Sequence, residues 1–388
     1  MTATPTRYTL HVADDVLDDL RARLARTRWP DEPPPEQVPP WSSGTSLAYL
    51  RGFVEHWRTA YDWRAQEALL NRLHHWTVPL GGIQLHYLHE PGVGPAPLPL
   101  LISHGWPGSI VEFRRLIPLL TDPGRHGGDP ADAFTVVAPS LPGYTLSYTP
   151  GQPRFGVEEI ADLYATLMTD VLGYARYGAQ GGDWGAFVTS RLAWRHPERF
   201  TGLHLNLLAV RRDPELVADA DADERRFLGE LKGFLKEETG YQWIQGTKPQ
   251  TLAYGLTDSP AGLAAWLVEK FHRWTDCRDD DPATAVPIDE LLTNLTLYWA
   301  TGAIGSSFWP YHARMHRPWP IPPGETVRVP TGYVQFPREI LRPPRRLAER
   351  TYPDLRRWTV AERGGHFAAM EQPELMAREI REFFRPLR

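Results

Sequence analysis

From residue 83 onward the chain has a rhythm that constrains its fold more than any other feature. IQLHYLH alternates in polarity, PLPLLIS and FTVVAPS are short apolar runs, and YARYGAQ and FTGLHLN follow, each bounded by Gly or Pro. Helical stretches such as 157–172 and 185–195 separate these runs. Strands that alternate with helices pack as a parallel sheet covered by helices, so the expected fold class is α/β. Between about 211 and 320 the strand signals stop, and 223–238, 260–274 and 288–300 read as helices of a mostly helical insertion. Strand signals return at TVRVPTGYVQF and RRWTV before a last amphipathic helix at 373–386. A helical insertion late in a sheet is a candidate lid. Upstream, Val16, Leu17, Leu20 and Leu24 fall at helical spacing, as do Leu50, Phe53, Val54 and Trp57. The Pro-rich segment between these two helices is too long for a tight turn and is expected to lie across another part of the protein. The expected divisions are an N-terminal extension at 1–78, core at 79–210, lid at 211–322 and core again at 323–388.

Composition narrows the function classes. At 388 residues, against roughly 150 per domain, the chain suits one large domain with additions. With 42% hydrophobic and 23% charged residues it can bury a sizeable core, so global disorder is excluded. Lys and Arg number 42 against 47 Asp and Glu, a net charge of −5 with both signs interspersed, which advertises no nucleic-acid surface. A small molecule is the expected partner, and a homodimer stays open as an assembly. The single cysteine, Cys277, cannot form an intramolecular disulfide, and there is neither a signal-peptide pattern nor an apolar run long enough for a membrane span. A soluble, cytoplasmic protein is expected, with no membrane partner. The 38 prolines, about twice the usual share, punctuate loops at Pro30–Pro40 and between Pro310 and Pro337.

Three motifs carry chemistry. Gly181-Gly182-Asp183-Trp184-Gly185 follows the strand YARYGAQ and precedes AFVTSRLAWRH, the strand-turn-helix context of a nucleophile elbow. Glycines flank the central residue because its backbone is strained and its neighbours pack closely. The central residue is Asp where esterases have Ser; in isolation, Asp among glycines is more often a turn or a cap. His104-Gly105-Trp106-Pro107-Gly108 follows PLPLLIS, where a strand-to-helix loop can supply a backbone N–H to an oxyanion hole. Gly364-Gly365-His366-Phe367 follows the last strand, where a loop can present an imidazole at the carboxyl ends of the strands. Each motif alone has a bland structural reading. What adds weight is that Asp183, a carboxylate near the penultimate strand and His366 come in the order nucleophile, acid, histidine.

In these motifs and beyond, the chain resembles the epoxide hydrolases of the microsomal and juvenile-hormone type, within the α/β-hydrolase superfamily. The similarity runs through YTLHVADDVLDDLRARLARTRWPDE, HGWPGS, GGDWG, ETGYQWIQGTKP, LTLYWATGAIGSS and RGGHFAAMEQPEL. It implies an α/β-hydrolase fold: a mostly parallel central sheet with helices on both faces, a helical lid and an N-terminal helical extension. By resemblance Asp183 is the nucleophile, His366 the general base and Glu339 the acid that orients it. Tyr241 and Tyr311 are the two lid tyrosines that hold the epoxide oxygen. Around Tyr311 the match is interrupted by Phe308, Trp309 and Pro310, so Tyr298 and Tyr254 stand as alternatives for the second phenol. Asp354 and Glu362 are alternatives for the acid, nearer to His366 in sequence than Glu339 is. Membrane-anchored relatives carry an apolar N-terminal helix that is not seen here.

The Asp selects the reaction. A serine attacking an epoxide carbon would leave an ether, whereas an aspartate leaves an ester that an activated water can cleave to release a vicinal diol. The backbone N–H groups of Trp106 and Trp184 are placed to form the oxyanion hole, and His104, Trp106 and Trp184 are expected in the substrate pocket. Phenols with an ordinary pKa near ~10 can give hydrogen bonds and a proton to the opened oxygen without being ionised at neutral pH. A haloalkane dehalogenase also uses an Asp nucleophile, but a departing halide needs no proton from paired phenols. A non-catalytic binding protein on the same fold has no need of the three groups in catalytic order. His312 and His316 are spaced i,i+4 without the H-E-x-x-H pattern, so no metal is expected. No dinucleotide or Walker pattern follows a strand, so no cofactor is expected. The aromatic lid suggests a hydrophobic, aryl-substituted epoxide. Relatives in bacterial natural-product pathways make a biosynthetic substrate as plausible as a detoxified one.

Overall fold

A computed structural model describes residues 4–210 and 219–388 of the chain, so the first residues of the expected lid, 211–218, lie outside the described part. The strands are β1 (Thr6–Arg7), β2 (His75–Leu80), β3 (Ile83–Glu90), β4 (Leu98–Ser103), β5 (Phe134–Pro139), β6 (Tyr177–Gly181), β7 (Phe200–Leu205), β8 (Thr331–Gln335) and β9 (Leu355–Val360). They form one sheet in the order β1-β2-β3-β5-β4-β6-β7-β8-β9. Pairing is antiparallel from β1 to β5 and parallel from β5 through β9. The α/β expectation holds. Central strands β6 and β7 are buried along their whole length, because helices cover both faces, and this is why they read as apolar runs instead of alternating ones.

The five strand segments between residues 83 and 206 all form. TVRVPTGYVQF contributes only Thr331–Gln335, since Pro330 has no N–H for a ladder bond and the residues before it leave the sheet. Two strands escape the pattern reading. Thr6–Arg7 is too short to show a period, and His75–Leu80 carries Pro79, which disguises it.

The N-terminal helices Asp14–Ala25 and Leu47–Thr59 bury Leu17, Leu20 and Leu24, and Leu50, Phe53, Val54 and Trp57. These are the residues at helical spacing. The Pro-rich segment between them crosses the lid helix Pro260–Trp274. There Trp41 stacks on His272 with ring centroids 3.9 Å apart, and the Thr45 hydroxyl donates to the Ala265 carbonyl at 2.7 Å. Between β7 and β8 lie the helices Ala222–Glu237, Gly240–Thr247, Pro249–Asp258, Pro260–Trp274, Ile288–Thr301 and Trp309–His316. Asp221 accepts from the Glu224 N–H while Glu224 reaches back to the Asp221 N–H, a reciprocal cap that starts the first of them. Among the described residues no helix is long and apolar enough to cross a membrane.

Candidate active site

At the end of β6 the chain turns through Gly182 into the helix Asp183–Arg195, and Asp183 has a φ of 47°. A non-glycine residue in that left-handed region is uncommon, and strain of this kind is held only where surrounding structure fixes it. The turn lifts the carboxylate above the sheet. Gly105 makes room for it: a Cβ there would lie 2.2 Å from Asp183 Oδ1. On the other side of the turn a Cβ on Gly185 would lie 2.0 Å from the Ser103 carbonyl oxygen, so the elbow helix and the end of β4 approach at backbone distance.

The two oxygens of Asp183 face different partners. Oδ1 accepts from the backbone N–H of Trp106 at 2.7 Å, and Oδ2 lies 3.4 Å from His366 Nε2. Trp184, next in the chain, is in the first turn of the elbow helix, where N–H groups have no intrahelical acceptor. On its other nitrogen, His366 Nδ1 donates to Glu339 Oε1 at 2.6 Å. Glu339 follows β8, and its Oε1 also accepts the neighbouring Ile340 N–H at 2.7 Å. Of the alternatives for the acid, Asp354 is in a bidentate pair with Arg356 and Glu362 is exposed. Desolvation pulls the buried His366 downward, but the charges of Glu339 and Asp183 and their hydrogen bonds outweigh it. The imidazole is held well above its ordinary pKa.

Helices between β7 and β8 cover this cluster with aromatic rings. Tyr241, at the start of the helix Gly240–Thr247, stacks on Trp106 with centroids 5.4 Å apart. Tyr311 meets Trp184 edge-on at 4.8 Å and Tyr241 at 5.6 Å. Burial raises the pKa of both phenols; the charge of Asp183 adds to this for Tyr241, and Tyr241 and Asp183 add to it for Tyr311. Both therefore carry their protons at neutral pH. The alternatives are engaged elsewhere: the Tyr298 hydroxyl donates to the Gly108 carbonyl at 2.8 Å, and Tyr254 is 73% exposed. His104 borders the site, yet its Nδ1 donates to the Gly105 carbonyl and its Nε2 accepts the Leu141 N–H. Burial lowers its pKa to about 4, so it is a neutral, fully engaged ring with a structural part.

Sequence reading passed over three groups. Trp274, at the end of the lid helix Pro260–Trp274, packs edge-on to His366 at 5.1 Å, and its carbonyl accepts the His366 N–H at 2.8 Å. Glu371 accepts the N–H groups of Asp276 and Phe367, which ties the histidine loop to the end of the lid helix. Glu112, on the short turn Ile110–Phe113, borders the Asp183–His366 pair. The motif HGWPGS points to the start of that turn, but no spacing rule picks out the Glu within it.

The chain is similar along its length to known proteins. Residues 5–113 match the family model described as epoxide hydrolase N terminus, and residues 99–239 match the alpha/beta hydrolase fold. A relative from Stigmatella aurantiaca that bears an epoxide hydrolase name is 46% identical over 383 residues, covering 99% of this chain and 85% of its own. Epoxide hydrolase 1 of Sus scrofa is 36% identical over 404 residues, covering 97% and 87%. The crystal structure of juvenile hormone epoxide hydrolase from the silkworm Bombyx mori superposes with a TM-score of 0.87 at 30% identity, covering 99% of this chain and 95% of that one.

Proposed function

The chain belongs to the epoxide hydrolase family on the α/β-hydrolase fold, and from that premise we propose that it opens a hydrophobic epoxide to a vicinal diol through an ester on Asp183. The observation that carries this reading is the split environment of one carboxylate. Oδ1 is already at a backbone donor, Trp106 N–H, so Oδ2 is the oxygen free to attack. Attack at an epoxide carbon breaks the ring C–O bond, and the electron pair goes to the ring oxygen. Tyr241 and Tyr311 hydrogen-bond that oxygen, and one of them gives it a proton.

In the second half, His366 takes a proton from water and the resulting oxygen attacks Cγ of Asp183. The tetrahedral oxyanion forms at Oδ1, against the N–H groups of Trp106 and Trp184. Collapse expels the substrate oxygen, which takes the proton from His366 and leaves as the second hydroxyl of the diol. The carboxyl proton returns to the tyrosinate, and one water has been consumed per epoxide.

A lining of Trp106, Trp184, Tyr241, Trp274 and Tyr311 favours an apolar, aryl-bearing substrate. Oxygen labelling tests the ester. With enzyme in excess over styrene oxide in ¹⁸O-water, the first diol is expected largely unlabelled, with the heavy oxygen in the peptide that contains Asp183. A fully labelled diol in that single turnover would make Asp183 a base for direct hydration instead.

A further inference from the structure

Beside Asp183 and His366 lies a cavity of about 20 Å³, bordered by Ser103, Glu112, Gln180, Asp183, Asn206 and His366. About 10–15 Å³ is enough for one water, whereas organic ligands occupy several hundred, so the cavity suits a single water and no part of an epoxide. An enclosed water also needs two to four polar partners. Asp183, His366 and the carboxyl of Glu112 all border the cavity.

Glu112 is placed there by local structure. It sits on the turn Ile110–Phe113, where the Ser109 hydroxyl accepts the Val111 N–H and donates to Asn294 Oδ1 at 2.7 Å, which pins the turn to the lid helix Ile288–Thr301. A Cβ on Gly108 would lie 1.5 Å from Glu112 Oε1, so the carboxyl occupies space that any other residue at 108 would fill. No described residue donates a hydrogen bond to that carboxyl or accepts one from it. Burial pushes its pKa up to about 8, with His366 opposing and Asp183 adding, so it feels both reacting groups. A half-buried, desolvated carboxyl without a protein partner is costly unless a water satisfies it.

We propose that this cavity is the seat of the hydrolytic water and that Glu112 is its positioning residue, a role that rests on the ester route given above. The water gives one hydrogen to His366 Nε2 and the other to a Glu112 oxygen, which turns a lone pair toward Cγ of Asp183. The transferred proton ends on His366, and Glu112 neither gains nor loses one.

The test separates the two half-reactions. Enzyme is mixed with styrene oxide, quenched at intervals and weighed intact, with His366→Ala as the control that must accumulate a substrate-mass adduct if the ester route holds. Glu112→Gln is expected to form the adduct at the wild-type rate and to lose it at least tenfold more slowly, so that kcat and KM fall together. Gly108→Ala, which displaces the carboxyl without removing it, is expected to do the same, and Glu112→Asp to recover part of the rate. Should Glu112→Gln fail to fold, the latter two decide. Adduct decay at the wild-type rate in these variants would overturn the role of Glu112 and leave the ester route standing. Equal slowing of formation and decay would make Glu112 merely structural. No adduct even in His366→Ala would overturn the ester route, and this inference with it.

Discussion

Tyr241, Tyr298 and Tyr311 are all buried, and what separates them is where each hydroxyl is engaged. The Tyr298 hydroxyl is bound to the Gly108 carbonyl, while the Tyr241 ring stacks on Trp106 and the Tyr311 ring meets Trp184 edge-on. Tyr241→Phe and Tyr311→Phe are therefore expected each to slow adduct formation roughly 10²-fold, the usual cost of removing one oxyanion donor, and the double variant to nearly abolish it. Tyr298→Phe is expected to alkylate within a few-fold of wild type. Stopped-flow tryptophan fluorescence on single turnovers reads all four rates. The reverse ranking of Tyr298 and Tyr311 would reassign the second phenol.

At the scale of elements, the site is a junction of four turns, each at the carboxyl end of a strand: after β4, after β6, after β8 and after β9. Their mutual distances leave no slack. Gly105→Ala would put a methyl 2.2 Å from Asp183 Oδ1, so the nucleophile must move or the turn must open. A displacement near 1 Å at a reacting atom costs about 10²-fold, and Gly105→Ala is expected to lose at least that much in alkylation while its circular dichroism stays that of wild type. Retained activity would mean that the turn adapts. The histidine loop is tied to the lid as well: His366 N–H donates to the Trp274 carbonyl, Asp276 N–H to Glu371 and Gly364 N–H to Asp276. Three hydrogen bonds thus join the loop that carries the base to the end of the helix that carries Trp274.

Across the whole molecule, the buried titratable groups set opposite slopes of stability against pH. Burial lowers His204 to about 3 and His104 to about 4, so at these two sites the unfolded chain binds more protons than the native one below the ordinary histidine pKa, and their contribution to stability rises with pH up to about 6.5. Glu112 and Glu371 are raised by burial to about 8 and His366 is raised by its carboxylate neighbours, so the native state holds their protons more tightly. Stability that depends on these three is lost as pH rises toward and through their native values. Between pH 6.5 and 8 only this second group titrates, and each Glu withdraws at most about 2 kcal/mol. The melting temperature is expected to fall between pH 6.5 and pH 8, with a shallower fall in Glu112→Gln. A melting temperature that climbs over that interval would contradict the assignment of these protons.

Strand-helix alternation, the elbow with Asp at its centre and the order of Asp183, a carboxylate near the penultimate strand and His366 were legible in the chain itself. Each of these is a property of spacing: apolar period makes the strand, glycine permits the turn, and chain order follows the succession of strand ends. Short or disguised elements were not legible, because Thr6–Arg7 spans no period and the lid helices Gly240–Thr247 and Pro249–Asp258 are too brief to show a clear face. Only the structure shows that the Tyr298 hydroxyl is bound to the Gly108 carbonyl, that Glu339 pairs with His366 while Asp354 pairs with Arg356, and that Glu112 borders the same cavity as Asp183 and His366. Those outcomes depend on which groups from distant segments meet in a water-poor interior, where a single hydrogen bond or a missing Cβ decides what a side chain can do.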